Sequence, residues 1–235
     1  MFLNPEELQP AQVEEIEKAS ARLVTQAVYE FRDTAADIFS KEKDLAQDIA
    51  EDITREALDK LGVSRMDLRL YGKIDYKRAR YVFHPEYAVR QALLVDSKAE
   101  KEHGTSTIQT GQTSMRIRHI RAGQPVDVPG DLLVSIGSCL TTTIFVKYEY
   151  EEDPVSRLHE ITVATLPSGM LQDLYNPSVE DTIWRAGRNA PTRGEPFRVR
   201  LVFAALKAKM RWRVQTIPMP PNAPPPLPTS FPWDE

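Results

Sequence analysis

Leu93-Leu-Val-Asp96-Ser-Lys98 is the stretch around which the rest of the chain can be arranged. Its apolar beginning predicts a buried β-strand, and the two-residue period of a strand places Asp96 and Lys98 on one face and Ser97 on the other. Upstream, Tyr71-Gly-Lys-Ile-Asp75-Tyr-Lys-Arg78 carries another aspartate in a second strand-like run. The sequence therefore predicts two strands that each present an aspartate at or near their ends.

Two carboxylates and a lysine with this spacing suit a magnesium-dependent phosphodiesterase centre. Asp75 and Asp96 offer the oxygen ligands that Mg²⁺ prefers, and the main-chain carbonyl of Ser97 is a further possible ligand. Lys98 can orient or deprotonate the attacking water. An Asp-x-Lys triplet is also common as a surface salt bridge, so the residues alone leave both interpretations open.

Length and composition are those of an ordinary globular protein. The chain has 235 residues, of which 41% are hydrophobic and 27% are charged, enough for one large domain with a real core. The single cysteine, Cys139, excludes an internal disulfide and a cysteine-rich zinc site. The N-terminus lacks the pattern of a signal peptide and no apolar run reaches membrane length, so we expect a cytoplasmic protein with no membrane partner.

Charge alternates in blocks along the chain. The net charge is −4 overall, but it is −8 over residues 1–60, +6 over 61–121, −8 over 122–182 and +8 over 183–217. Such segregation is expected if one face approaches a phosphate backbone, although solvated surfaces also produce blocks of this size. The basic blocks therefore permit a nucleic-acid partner without requiring one.

Hydrophobic periodicity predicts amphipathic helices over residues 12–39 and 44–61. The acidic pair Glu51 and Asp52 on the second helix could lend a third carboxylate to the metal site, or could lie on a solvated helix face. We expect strands over residues 68–76, 80–83, 88–98, 158–166, 197–203 and 212–217.

Two segments are harder to interpret. Residues 100–114 are rich in Thr, Ser, Gly and Gln, which predicts a polar loop or short helix, whereas 132–150 could be a buried helix followed by a strand. The tail is rich in proline and should be extended. The expected organisation is a single domain over 1–217, with N-terminal helices at 11–61 and a catalytic sheet core at 68–217, followed by the tail at 218–235.

Alternating arginines form a second candidate site. Phe197-Arg-Val-Arg-Leu-Val-Phe203 places Arg198 and Arg200 on one strand face, where each could bind guanine O6 and N7, contact phosphate or remain in solvent. Other basic residues are candidates for phosphate contacts that position DNA. These are Arg193, Lys77, Arg78 and Arg80.

Six short sequence blocks, spread over most of the chain and in the same order as in one known family, resemble that family. The blocks are Ala50-Glu-Asp-Ile-Thr54, Ile74-Asp-Tyr-Lys-Arg78, Leu93-Leu-Val-Asp-Ser-Lys-Ala99, Thr142-Thr-Ile-Phe-Val146, Tyr175-Asn-Pro177 and Arg193-Gly-Glu195. Together they resemble the SfiI-like family of type II restriction endonucleases, in the BglI-like branch of the PD-(D/E)XK superfamily. Ile74 stands where the superfamily motif has proline, and neither the segment after Lys98 nor the tail obviously matches the family.

The resemblance implies an α/β (α+β) fold with a restriction-endonuclease-like core, in which helices flank a mixed β-sheet. It implies Mg²⁺-dependent hydrolysis of double-stranded DNA at an interrupted, GC-rich palindrome with GGCC-type half-sites, leaving 5′-phosphate ends. Asp75, Asp96 and Lys98 correspond to the two acids and the lysine of the motif, and Arg198 and Arg200 fall on the base-reading strand. The implied partners are a homotetramer, with a homodimer as the alternative, and a cognate DNA methyltransferase.

Two other functions fit the same residues. One is a structure-specific DNA repair or junction nuclease of the same superfamily. The other is a non-catalytic DNA-binding protein with a vestigial metal site, because the basic blocks alone would support binding.

Overall fold

The structure, a computed structural model, describes residues 3–41, 46–60, 65–66, 79–84, 89–136, 139–152, 156–187, 199–219 and 231–235. Within these ranges the α-helices are α1 (Pro10–Lys41), α2 (Ala46–Lys60), α3 (Gln172–Tyr175) and α4 (Phe203–Lys209). The strands are β1 (Arg65–Met66), β2 (Ala79–His84), β3 (Val89–Glu100), β4 (Thr105–Ile108), β5 (Ile117–Arg121), β6 (Gln124–Val128), β7 (Ser135–Ile136), β8 (Cys139–Glu152), β9 (Ser156–Leu166), β10 (Trp184–Ala186), β11 (Val199–Val202) and β12 (Val214–Pro218).

A mixed sheet lies at the centre of the described fold. Its strand order is β1-β2-β3-β8-β9-β12, and β7 also pairs with β8. Strands β3 and β8 run parallel, whereas the other pairs in this sheet are antiparallel. A smaller antiparallel sheet has the order β10-β11-β4, and β5 and β6 form a separate two-stranded pair. This arrangement of helices around mixed β-structure confirms the predicted fold class.

Strand β8 is buried on both of its faces. Ile144 and Val146 belong to the core cluster that includes α1 and α2, while Phe145 belongs to the cluster on the opposite face of the sheet. A strand covered on both sides needs an unbroken apolar run, which periodicity cannot distinguish from a buried helix. Of the buried helix followed by a strand that was considered for residues 132–150, the helix was therefore wrong and the strand is confirmed, since the described part of this segment forms β7 and β8.

Most of the other predicted elements are present. The helices predicted at 12–39 and 44–61 are α1 and α2, and strands were placed correctly at β2, β3, β9, β11 and β12. The strand predicted at 68–76 lies outside the described residues. Residues 100–114 were predicted as loop or short helix, but they contain β4 as well as the 3₁₀ helix Thr110–Gln112. Strand β4 is polar and depends on its pairing with β11, which local sequence does not reveal.

A buried charge cluster joins α1 to the chain just before β12. Nη2 of Arg213 lies 2.7 Å from Oε2 of Glu17 and 3.1 Å from Oε2 of Glu14, and its guanidinium packs over the ring of Tyr175. Glu17 also accepts the Ser168 N–H at 2.9 Å. Burial raises the pKa of Glu17 to about 7, because the guanidinium and this N–H offset the loss of solvation only in part.

The last five residues, 231–235, lie against α1 and β12. The main-chain N–H of Phe231 donates to Oε1 of Gln26 at 3.0 Å, and the Phe231 ring packs edge-on to Tyr29. The side chain of Gln215 bonds both main-chain groups of Asp234. These contacts fix the end of the proline-rich tail to the helix and sheet. Among the described helices, none has the length and apolar character needed to span a membrane.

Replacing Arg213 by Met should destabilise the fold by about 3–5 kcal/mol at about pH 8, because two carboxylates would stay buried without their cation. The folded-state pKa of Glu17 already lies above its unfolded value of about 4.5, and loss of the cation raises it further. The folded state then holds a proton that the unfolded state releases, so stability falls as pH rises through this window. In urea unfolding, the free energy of unfolding of Arg213→Met should fall further below the wild-type value at about pH 8 than at about pH 5.5.

Arg211→Met is the matched control, because Arg211 lies in the same 3₁₀ helix but its side chain is 67% exposed. It should cost less than about 1 kcal/mol at either pH. Equal destabilisation by the two variants, or a loss from Arg213→Met that does not change with pH, would contradict the role given to the cluster.

Candidate active site on strand β3

Strand β3 brings two of the predicted site residues together. Nζ of Lys98 lies 2.8 Å from Oδ2 of Asp96, and both side chains are about four-fifths buried, at 17% and 20% exposure. Apart from this ion pair, Oδ2 has no hydrogen-bond partner among the described residues. The site therefore contains a desolvated carboxylate oxygen with a positive charge beside it.

Ser97 faces the opposite side of β3 and fixes α2 on the strand. Its hydroxyl donates to Oγ1 of Thr54 at 2.7 Å, and that oxygen lies 2.8 Å from the hydroxyl of Tyr148 on β8. Burial raises the pKa of Tyr148, so the phenol stays protonated and available for this hydrogen bond. These buried hydrogen bonds connect α2, β3 and β8, and so hold α2 against the strand that carries Asp96.

The surroundings of Asp96 make its charged form less favourable than it is in water. Burial is the main reason that the pKa of Asp96 is raised, while the charge of Lys98 lowers it. The negative charge of Glu51 raises the pKa further, and a hydrogen bond from the side chain of Gln112 lowers it. A bound cation would relieve both the desolvation and the repulsion from Glu51.

The structure separates the two acids considered on α2. Asp52 is 63% exposed and pairs with Arg55 at 2.7 Å on the solvated face of the helix. Glu51 is half-buried, lies one turn before Thr54 and is close enough to raise the pKa of Asp96. Glu51 is therefore the carboxylate on α2 whose charge acts on Asp96.

These donors fit a hard cation. Mg²⁺ is usually held by one or two carboxylates and keeps several waters, so Asp96 with Glu51 is a suitable partial ligand set. Within the described ranges, no group of three acidic, His or Cys side chains is arranged to hold a metal ion. Asp75, which was predicted to complete the set, lies outside the described residues.

Arg200 is the predicted DNA-binding residue whose side chain the structure describes. It lies on β11 between the buried residues Val199 and Leu201, so it faces away from the core beneath that strand. Its Nε donates to Thr105 at 2.8 Å and its Nη1 to Thr107 at 3.1 Å. Arg80 lies on β2. The other predicted basic residues lie outside the described residues; they are Arg193, Arg198, Lys77 and Arg78.

Two residues that contact Arg200 or Asp96 were not predicted from the sequence: Glu100 and Gln112. Glu100 follows Lys98 on the same face of β3, and its Oε2 lies 3.1 Å from Nη2 of Arg200. The two-residue period of β3 could have identified it. Gln112 reaches Asp96 from the 3₁₀ helix after β4, and no local pattern marks it.

The central mixed sheet, with Asp96 and Lys98 on one of its strands, gives this protein a restriction-endonuclease-like fold. The fold matches the crystal structure of the restriction endonuclease BglI bound to its DNA recognition sequence, with a TM-score of 0.70. The match covers 88% of this chain and 91% of BglI at 15% identity, so it concerns the fold alone.

The family is narrower than this class. The family model for type II restriction enzyme SfiI matches residues 16–217. Type II restriction enzyme SfiI from Streptomyces fimbriatus is 34% identical over 231 residues, covering 90% of this chain and 86% of that protein. The crystal structure of tetrameric restriction endonuclease SfiI bound to cognate DNA matches with a TM-score of 0.83 and 31% identity, over 95% of this chain and 90% of that chain. The chain belongs to the SfiI family of type II restriction enzymes, which confirms the resemblance seen in the sequence.

Glu51→Gln should weaken Mn²⁺ binding about tenfold, because it removes one of the carboxylates that face the Asp96 site. Isothermal titration calorimetry on the protein without DNA measures this directly. Asp52→Asn removes the same charge from the next residue of α2 and should leave the affinity unchanged within about twofold. Equal effects of the two substitutions would show that Glu51 acts only through the general charge of the helix.

Proposed function

We propose that this type II restriction enzyme hydrolyses phosphodiesters of double-stranded DNA with Mg²⁺ at an interrupted, GC-rich palindrome. The half-sites would be of the GGCC type and the products would carry 5′-phosphate ends. The observation that supports this most is the desolvated Asp96 carboxylate with Lys98 beside it on one strand face, in a chain of the SfiI family.

The proposed centre consists of Asp75, Asp96 and Lys98. Asp75, Asp96 and the main-chain carbonyl of Ser97 would hold Mg²⁺. Glu51, whose negative charge acts on Asp96, is proposed to contribute a further oxygen. When bound, the ion supplies positive charge beside the scissile phosphate. Lys98 orients the attacking water, whose oxygen forms a bond to phosphorus while the bond from phosphorus to the 3′ oxygen breaks. The attacking water loses a proton to solvent, and the leaving 3′ oxygen takes up a proton from solvent and becomes a hydroxyl. The phosphate then stays on the 5′ end.

DNA recognition is assigned to the basic residues of β11 and of the segments around it. Arg200, together with Arg198 two residues earlier, is proposed to bind guanine in the major groove, because a guanidinium matches O6 and N7. Thr105, Thr107 and Glu100 orient the Arg200 guanidinium before DNA arrives. The remaining proposed DNA contacts are to phosphates, from Arg193, Lys77 and Arg78.

The solved SfiI structure is described as tetrameric and bound to cognate DNA. We propose a homotetramer for this chain as well, with a homodimer as the simpler alternative that sedimentation would distinguish. Each subunit would have one nuclease domain over residues 1–217 and a tail over 218–235. A cytoplasmic location and a methyltransferase that protects the same DNA site complete the proposal.

Purified protein with Mg²⁺ should cut plasmid or phage DNA into discrete fragments on a gel. Asp96→Asn and Lys98→Ala should bind the same DNA but reduce cleavage by at least about a hundredfold, because each removes a group of the reacting centre. Asp52→Asn is the matched control and should cut normally. Cleavage that requires branched DNA would indicate a junction nuclease. Binding in EDTA, with no cleavage at any Mg²⁺ or Mn²⁺ concentration, would indicate a non-catalytic DNA-binding protein.

Arg200→Ala should cost about 1–3 kcal/mol of binding free energy on DNA that carries the cleaved sequence, because it removes a bidentate base contact. It should cost much less on random duplex and should relax one base position of the site. Fluorescence anisotropy on the two duplexes measures the difference. Equal losses on both duplexes would show that Arg200 does not read a base.

A further inference from the structure

A cleft of about 550 Å³ lies beside the outer face of β11. Three of the side chains that line it are basic and one is acidic. The lining residues are Lys101, Glu102, Arg185, Ala186, Gly187 and Arg200. The excess of positive charge suits an anionic ligand, and the single carboxylate stands out because it opposes such a ligand.

Glu102 bridges two arginines in this cleft. Its Oε1 lies 2.7 Å from Nη2 of Arg185, and its Oε2 lies 3.2 Å from Nη2 of Arg200. Arg185 and Arg200 are directly opposite each other on the paired strands β10 and β11. One carboxylate therefore occupies nitrogen donors of two neighbouring guanidinium groups, as a phosphate or a base edge would.

The two carboxylates that contact Arg200 differ in how firmly they are held. Glu100 is 17% exposed and its Oε1 accepts the Thr107 N–H at 3.1 Å, so it is part of the sheet. Glu102 is 43% exposed, and its main-chain carbonyl accepts a hydrogen bond from the buried Lys147. Lys147 thus anchors the backbone of Glu102. Because the Glu102 side chain is partly exposed, its carboxylate can rotate into solvent while the backbone stays in place.

We propose that Glu102 is a specificity-determining residue that competes with DNA for Arg185 and Arg200, and that Arg185 is a further DNA contact. The proposal rests on the proposed function, since it takes Arg200 to face DNA. A random duplex offers only phosphate charge at this position, which the carboxylate opposes. The correct sequence also offers the two acceptors of guanine to Arg200, and the additional contact displaces Glu102. Specificity then comes partly from a penalty on wrong sequences.

Glu102→Gln tests this inference, with Ca²⁺ in place of Mg²⁺ so that the DNA stays intact. Two probes of equal length are needed, a random-sequence duplex without a cleavage site and a duplex that carries the cleaved sequence. The variant should bind the random duplex about tenfold more tightly, because an opposing charge is removed from the contact surface. Its affinity for the other duplex should rise less than about threefold, so discrimination falls.

Asp127→Asn is the matched control. Asp127 is also 43% exposed and also bridges two arginines, at 2.9 Å from Nε of Arg116 and 3.4 Å from Nε of Arg118. This variant removes the same charge and should leave discrimination unchanged. In Glu102→Gln, the second substitution Arg185→Ala should return binding of the random duplex to the wild-type level.

Several results would overturn the inference. If Glu102→Gln raised the affinity for both duplexes equally, or if Asp127→Asn changed discrimination in the same way, Glu102 would act only through the overall charge of the protein. Weaker binding of both duplexes by Glu102→Gln would make the residue structural. If wild-type protein does not discriminate between the duplexes, the proposed function fails. If wild-type protein discriminates between the duplexes, and Arg200→Ala abolishes this discrimination while Glu102→Gln does not, the proposed function stands and only the competition between Glu102 and DNA is ruled out.

Discussion

The parallel pairing of β3 with β8 is the constraint on which the candidate site depends. The pairing runs from Arg90 opposite Cys139 to Glu100 opposite Glu149, so the whole functional part of β3 is held in register. Both strands are covered on both faces by core residues. Asp96 therefore lies on a rigid strand, in a place where water is largely excluded. Its raised pKa follows from that position.

The two faces of β3 have different roles. Ser97 faces α2 and joins the hydrogen-bond chain to Thr54, which brings Glu51 towards Asp96. Asp96, Lys98 and Glu100 follow one another on the opposite face, and Glu100 contacts Arg200. Asp96, the proposed metal ligand, and Glu100, the ion-pair partner of the proposed DNA contact Arg200, thus share one strand face.

Local pattern predicted much of the fold because the elements concerned have a clear period. Helix α1 has apolar residues at steps of three and four, and β3 begins with an apolar run that ends at Asp96. The contact between Asp96 and Lys98 also follows from a local rule, since alternate residues of a strand share a face. The polar strand β4 had no such signal, because its sequence resembles a loop until β11 pairs with it.

The contacts that complete the site join residues distant in sequence, and no local rule predicts them. Gln112 reaches Asp96 only after the chain has passed through β4, and the charge of Glu51 acts on Asp96 from α2, which Thr54 joins to Ser97 on β3. Glu102 looked like part of a polar loop, and its proposed role depends on two arginines, Arg185 and Arg200, that lie far along the chain from it. Burial and pairing in three dimensions were needed to separate Glu51 from Asp52.

Sequencing the ends of the DNA fragments made by the purified protein with Mg²⁺ would show whether the enzyme cuts at one specific site. We expect independent fragments to end within one recurring, interrupted palindrome of GC-rich half-sites, and every 5′ end to carry a phosphate. Ends scattered over unrelated sequences, or cuts that follow the shape of the DNA and not its sequence, would contradict this expectation.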